Sequence, residues 1–248
     1  MLQVTADKRF SKGLTAFANY VWSKTLNNAE SGINGVQSSL DYYNLKLEKA
    51  VATYDLPHMF KGYLAYELPV GKGKAVWSNS GRLGNAVFGG WAVSAILNYF
   101  SGTPLGLSGA SSPLPNAWNG GSRVNAAPGA MEASGFSKNS FNLANTSSPT
   151  NTYLNKSVFS DIALLTLGNA AYRYTQLRGF GTINEDVGLQ KGYRINEKYR
   201  IQIRAEFLNV FNRHQPGGIV TDVKNPLFGQ VTSVSGNRSV QLGARLDF

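Results

Sequence analysis

Hydrophobicity along this chain repeats every second residue in segments of about ten, and that period decides what the chain can fold into. Side chains alternate sides only along an extended strand, so a period of two gives a β-strand one apolar and one polar face. KYRIQIRAEF is the clearest case: Tyr199, Ile201, Ile203, Ala205 and Phe207 point one way, and Arg200, Gln202, Arg204 and Glu206 the other. RSVQLGARLDF divides alike, with Val240, Leu242, Ala244, Leu246 and Phe248 opposing Ser239, Gln241, Gly243, Arg245 and Asp247. Further apolar sets are Trp91, Val93, Ala95, Leu97 and Tyr99; Phe60, Gly62, Leu64, Tyr66 and Leu68; and Leu14, Ala16, Ala18, Tyr20 and Trp22. Weaker segments lie near 2–10 and 183–195, where Lys8 and Lys191 fall on the apolar register close to strand ends and can snorkel to water.

Strands of about ten residues are the length a tilted barrel needs to cross a bilayer. Only 15% of residues are charged, against roughly 25% in an average soluble domain, so the chain as a whole is polar more through Gly, Asn and Ser than through charge. No window approaches the uninterrupted apolar run of about 18 residues that a membrane helix needs. The expected fold is therefore all-β: an antiparallel up-and-down meander of about seven strands, forming part of a transmembrane β-barrel over residues 1–248.

The connectors alternate in length. FSKG and RINEK are tight, 70–89 is intermediate, and 25–56, 102–181 and 212–237 are long. Outer-membrane barrels have short periplasmic turns and long extracellular loops, which sends the last strand toward the periplasm and makes 102–181 an extracellular loop. Aromatics then sort into two interfacial girdles: Phe10, Tyr66, Trp91, Tyr193, Tyr199 and Phe248 at the periplasmic ends, Tyr20, Trp22, Phe60, Tyr99 and Phe207 toward the outer ends. A soluble β-sandwich, such as a carbohydrate-binding module, also alternates. The 102–181 stretch, rich in Gly, Ser, Asn and Pro, weighs against it, because such long connectors are uncommon in compact domains. A small porin-like barrel is another alternative, with an eighth strand in VTSVSG or in the long loop.

The raw material for catalysis is thin. There is no Cys, and His58 and His214 stand far apart without further ligands at metal spacing. VGKGK lacks the spacing and the Ser or Thr of a phosphate loop and reads as a periplasmic turn. No GxSxG occurs. The net charge of +10 is scattered, with no basic helix or aromatic-basic motif, so nucleic acid is not an expected partner. No enzyme activity and no cofactor are expected. Arg200, Arg204, Glu206, Arg245 and Asp247 are candidates for lining a lumen, where charges usually pair with one another. The loop 102–181 is the better place for ligand capture, since binding residues concentrate in loops on rigid scaffolds.

The motifs LQVTADKRFSKGLTAFANYVWSKTLNN, HMFKGYLAYELPVGKGK, GGWAVSAILNYFSGTP, LRGFGTINEDVGLQKGYRI, RAEFLNVFNRHQ and the terminal ARLDF, in this order, cover nearly the whole chain. Together they resemble the C-terminal barrel of Oar-like TonB-dependent receptors. The resemblance implies a 22-stranded barrel in the outer membrane of a Gram-negative cell, with a plug through which TonB drives uptake of a substrate. It implies contacts with outer-membrane lipid, and with the barrel-assembly machinery through a C-terminal signal of Val240, Leu242, Ala244, Leu246 and Phe248. Plug, TonB box and signal peptide are missing from the sequence and the strand number is odd, so the expectation is a fragment not competent alone.

Overall fold

The computed structural model describes residues 1–28, 39–41, 43–112, 121–138, 140–142, 144–145 and 148–248. Parts of the long connectors 25–56 and 102–181 thus lie outside the described residues. All seven alternating segments are strands: β1 (Leu2–Ser11), β2 (Leu14–Trp22), β3 (His58–Glu67), β4 (Trp91–Phe100), β5 (Thr182–Arg194), β6 (Arg200–Leu208) and β7 (Ser239–Asp247). They pair in chain order in one seven-stranded antiparallel sheet, which is open because β1 and β7 each have a single partner within it.

Opposed residues on antiparallel neighbours share a face. Val4 opposes Tyr20, Tyr20 opposes Phe60, Phe60 opposes Tyr99 and Tyr99 opposes Ile183. On the other side of β5, Leu189 opposes Ala205 and Ala205 opposes Leu242. A slip of one residue at any pairing would turn a strand's apolar set to the opposite side. None occurs along these rows, so the apolar faces read separately from the sequence merge into one continuous surface. No second sheet packs across that surface among the described residues, which removes the sandwich alternative.

Lys12 and Gly13, both at positive φ (52° and 81°), close β1 onto β2 in a two-residue hairpin. The pairing then shifts by one residue between Ser11 and Lys8, and from Lys8 to Leu2 it holds the register that aligns the apolar faces. Between β5 and β6, Asn196 Oδ1 accepts from the amides of Lys198 (3.0 Å) and Tyr199 (2.8 Å). The intermediate connector is more than a turn, since after a Gly71–Gly73 bend it carries helix α1 (Arg82–Phe88). Gly90, at φ 74°, closes that connector where a Cβ would meet the Gly192 carbonyl. This close approach explains why GGW precedes β4.

At the opposite end of the sheet the described parts of the connectors 101–181 and 209–238 fold together around a shared core. Their core is Val124, Tyr153, Leu154, Val158, Phe159, Ala170, Leu177, Phe228 and Val231. VTSVSG does not extend the sheet: Val231–Ser235 pairs with Gln215–Ile219 in a separate hairpin that contributes to this cap.

Candidate functional site in the polar face and the loop cap

The face opposite the apolar surface carries an uninterrupted polar row, Thr5, Asn19, Lys61, Asn98 and Asn184, one residue from each of five strands. Asn19 Nδ2 donates to Thr5 Oγ1 at 2.8 Å. On β6 and β7 the same face carries charge, nearer the other end of the strands. Arg200 and Asp247 are opposed across β6 and β7, as are Gln202 and Arg245. Arg204 pairs with Glu206 (3.2 Å) and Arg245 with Asp247 (2.6 Å), each along its own strand. All five charged candidates therefore share one face, and four of them are occupied with a neighbour two residues away. Phe17, Tyr63 and Ile96 stand among the polar rows of this face, so it is mixed rather than wholly hydrophilic.

Val240, Leu242, Ala244 and Leu246 line the apolar side of β7, with Phe248 one residue beyond the strand. These five side chains are exposed.

The cap is tied together by two buried ion pairs that no local pattern announces. Arg178 Nη2 meets Asp55 Oδ2 at 2.5 Å, Asp55 is fully buried, and its Oδ1 accepts from the Thr25 amide at 2.5 Å. Arg178 Nη1 also donates to the Asp55 and Gly102 carbonyls, at 2.9 and 3.1 Å. Arg123 Nη2 meets Glu48 Oε2 at 2.5 Å, while Glu48 Oε1 accepts from the Leu40 amide at 2.8 Å. Buried charges persist when paired and fully hydrogen-bonded, and both pairs meet that condition. They fasten the connector after β2 to the connector after β4.

Between these ties, Phe136, Tyr153 and Phe180 form an aromatic cluster with ring centroids 4.9–5.3 Å apart. Tyr153 Oη lies 2.7 Å from both Glu132 Oε1 and the Arg178 carbonyl. Burial, then the adjacent Glu132 carboxylate, pushes the Tyr153 phenol well above its ordinary range. Next to the cluster is a cleft of about 460 Å³ lined by Lys138, Phe180, Gly181, Ile183, Arg213, His214, Gln215 and Pro216. Lys138 Nζ stands 5.2 Å from the Phe180 ring centre. Elsewhere in the cap, burial would raise the Asp161 carboxyl, but the Ser111 hydroxyl and amide, the Ile162 amide and nearby Lys224 outweigh it and hold the group down at about 2.

One charged residue on the apolar register escaped the sequence reading. Glu185 opposes Leu97, is buried, and is held by Arg213 Nε (2.9 Å) and by Tyr99 Oη (3.2 Å). Its signal was an acid between Ile183 and Val187. Its partner comes from FLNVFNRH, a turn built on Asn209 and Asn212 at positive φ (52° and 51°). Asn209 Oδ1 accepts from the Arg213 amide at 2.9 Å, and its Nδ2 donates to the Arg213 and Gly236 carbonyls. His58 Nδ1 is 2.8 Å from Tyr20 Oη, so it joins the aromatic rim of the sheet at the long-connector end.

A comparison with curated proteins gives no match. The family described as an outer membrane beta barrel domain matches residues 1–241. With seven in-register strands, an apolar face that no second sheet covers among the described residues and an opposite face carrying charge, the chain belongs to the outer membrane beta barrel domain family and is located in the outer membrane.

Proposed function

We propose that this chain is barrel wall and loop cap of a TonB-dependent uptake receptor of the Oar-like kind, with the cap facing the outside of the cell and further strands closing the sheet. The observation that carries this reading is the division of the long connectors from the shorter ones by the sheet, which puts a folded, ion-paired cap at one end and two tight turns with the α1 connector at the other. A cap with its own core suits ligand capture, because a binding surface on a stable support loses less freedom on binding. The cleft between Lys138, Phe180 and Arg213 is the place we assign to first contact with substrate. The polar face, with Arg200, Arg204, Glu206, Arg245 and Asp247, lines the passage. Val240, Leu242, Ala244, Leu246 and Phe248 form the signal read by the assembly machinery, so deleting Phe248 lowers the outer-membrane level of the protein sharply; an unchanged heat-modifiable band would contradict this.

A plugged receptor and an open porin differ in two measurements on the protein purified from its outer membrane. The receptor gives no steady conductance in a planar bilayer, and formaldehyde cross-links it to TonB in energised cells. Steady open-channel current without a TonB cross-link would favour the porin-like alternative.

A further inference from the structure

The connector between β3 and β4 leaves a set of large apolar side chains in the open. Leu83 is 84% exposed, Val87 58%, Trp77 57% and Phe88 49%, although Trp77 and Phe88 stack edge to face at 4.9 Å. Leu83 and Val87 are four residues apart and share one side of α1. Trp77 stands at φ 59°, a conformation costly to an L-residue with a bulky side chain. Nothing in the strand pattern requires these residues.

Their position says what covers them. The C-terminal end of α1 is fastened to the apolar face of the sheet: Trp91 Nε1 donates to the Val87 carbonyl at 3.0 Å, and Lys191 Nζ donates to the carbonyls of Val87 (3.1 Å) and Gly89 (2.7 Å). Trp91 and Lys191 are opposed on that face, with the ammonium 4.9 Å from the Trp91 ring centre. The helix thus continues a surface that lipid already covers. Its charge suits a phospholipid headgroup layer: residues 68–90 contain Lys72, Lys74 and Arg82 and no Asp or Glu, and although Lys74 pairs with Glu67 at 3.2 Å the connector keeps a net positive charge.

We propose that α1 and Trp77 form an interfacial anchor, in which Trp77, Leu83, Val87 and Phe88 enter the boundary between headgroups and acyl chains of an anionic phospholipid leaflet, while Arg82 and Lys72 meet phosphates. A short amphipathic segment with apolar side chains on one side and cations on the other lies in that layer rather than across it. Lys191 has a place in this arrangement. From a lipid-facing position its stem runs to the interface, and its ammonium satisfies the helix's last carbonyls instead of staying in hydrocarbon. The lipid contact follows from continuity with the apolar face; its assignment to the periplasmic leaflet rests on the strand directions in the proposed function.

The chain has no Cys, so single-site labelling is clean within it. The protein isolated from its outer membrane, carrying Leu83→Cys with an environment-sensitive fluorophore, is reconstituted in vesicles containing phosphatidylglycerol and a lipid with nitroxide high on its chain. Leu165→Cys, at an exposed apolar position of the cap, serves as reference. We expect quenching at position 83 several-fold stronger than at 165, with blue-shifted emission. Equal quenching with water-like emission at both positions, in a protein whose barrel is intact by heat modifiability, would overturn the anchor. Labelling of the Leu83→Cys variant in whole cells with a membrane-impermeant maleimide decides the leaflet separately. Reaction from outside together with strong lipid quenching would reverse the strand directions and leave the lipid contact standing.

Discussion

The sheet and the cap are built for different solvents. In the cap, Leu154 and Leu177 are wholly buried and aromatic rings pack on one another, as in a protein folded in water. Across the seven strands, Val21 is the only buried large apolar residue, while Ile203, Leu242 and Val240 stand more than half exposed. Burying apolar surface stabilises by roughly 25 cal/mol per Å² wherever water is excluded, and among the described residues no second sheet covers the strands to exclude it. Its stability therefore depends on lipid, and that of the cap does not.

The contrast is sharpest for substitutions inside the cap. Arg178→Ala strands a fully buried Asp55, and removing one partner of a buried ion pair costs about 3–5 kcal/mol. Hydrogen exchange should accelerate throughout 101–181 and leave β5 and β6 protected. Loss of protection in the strands as well would mean that sheet and cap fold as one unit. Leu154→Ala should cost about 2–5 kcal/mol through the cavity it leaves, again in the cap alone and to the same extent in detergent as in lipid. A dependence of that cost on the lipid would erase the distinction between the two regions.

These two residues also mark how far the sequence could be read. Each strand was legible because alternation is local: Arg200 to Phe207 needs no partner to show two faces, and register followed once every face had to meet the same lipid. The cap was not. Arg178 finds Asp55 across 123 positions and Arg123 finds Glu48 across 75, and no period links them. Leu154 and Leu177 sit in a stretch whose Gly, Ser and Pro content reads as loop, yet a core needs only a few apolar residues once ion pairs fix the chain around it. The five charged candidates of β6 and β7 were placed by alternation on one face, whereas Glu185 was missed because its partner, Arg213, comes from a turn held by the Asn209 side chain. Helix α1 left a trace, Leu83 and Val87 at helical spacing, but it is too short for a period of 3.6 to stand out.

A smaller effect probes the cap by pH. The Asp161 carboxyl is held at about 2, below its ordinary 3.8, so its ionised form contributes stability above pH 4 that is lost as pH falls toward 2. The group is a third exposed, and water screening keeps the contribution below about 1 kcal/mol. Asp161→Asn should lower the cap's stability slightly at pH 7, and the gap from the unaltered protein should close between pH 4 and pH 2. A gap that persists at pH 2 would assign the effect to lost hydrogen-bond geometry instead of charge.

The most direct test of two solvents within one chain uses neighbours on β6. Ile203 opposes Ala244 and Lys191 on the apolar face, and Gln202 opposes Arg245 and Gly192 on the polar one. Both lie near the middle of the strand, so neither reaches an interface easily. Arg placed on the lipid face near mid-depth costs about 2–4 kcal/mol, whereas Gln202→Arg adds a repulsion from Arg200, Arg204 and Arg245 that water screens. Urea unfolding of the outer-membrane protein in lipid vesicles should show Ile203→Arg destabilised by that amount and Gln202→Arg by much less. Equal losses, or a greater loss for Gln202→Arg, would contradict the assignment of the bare face to lipid.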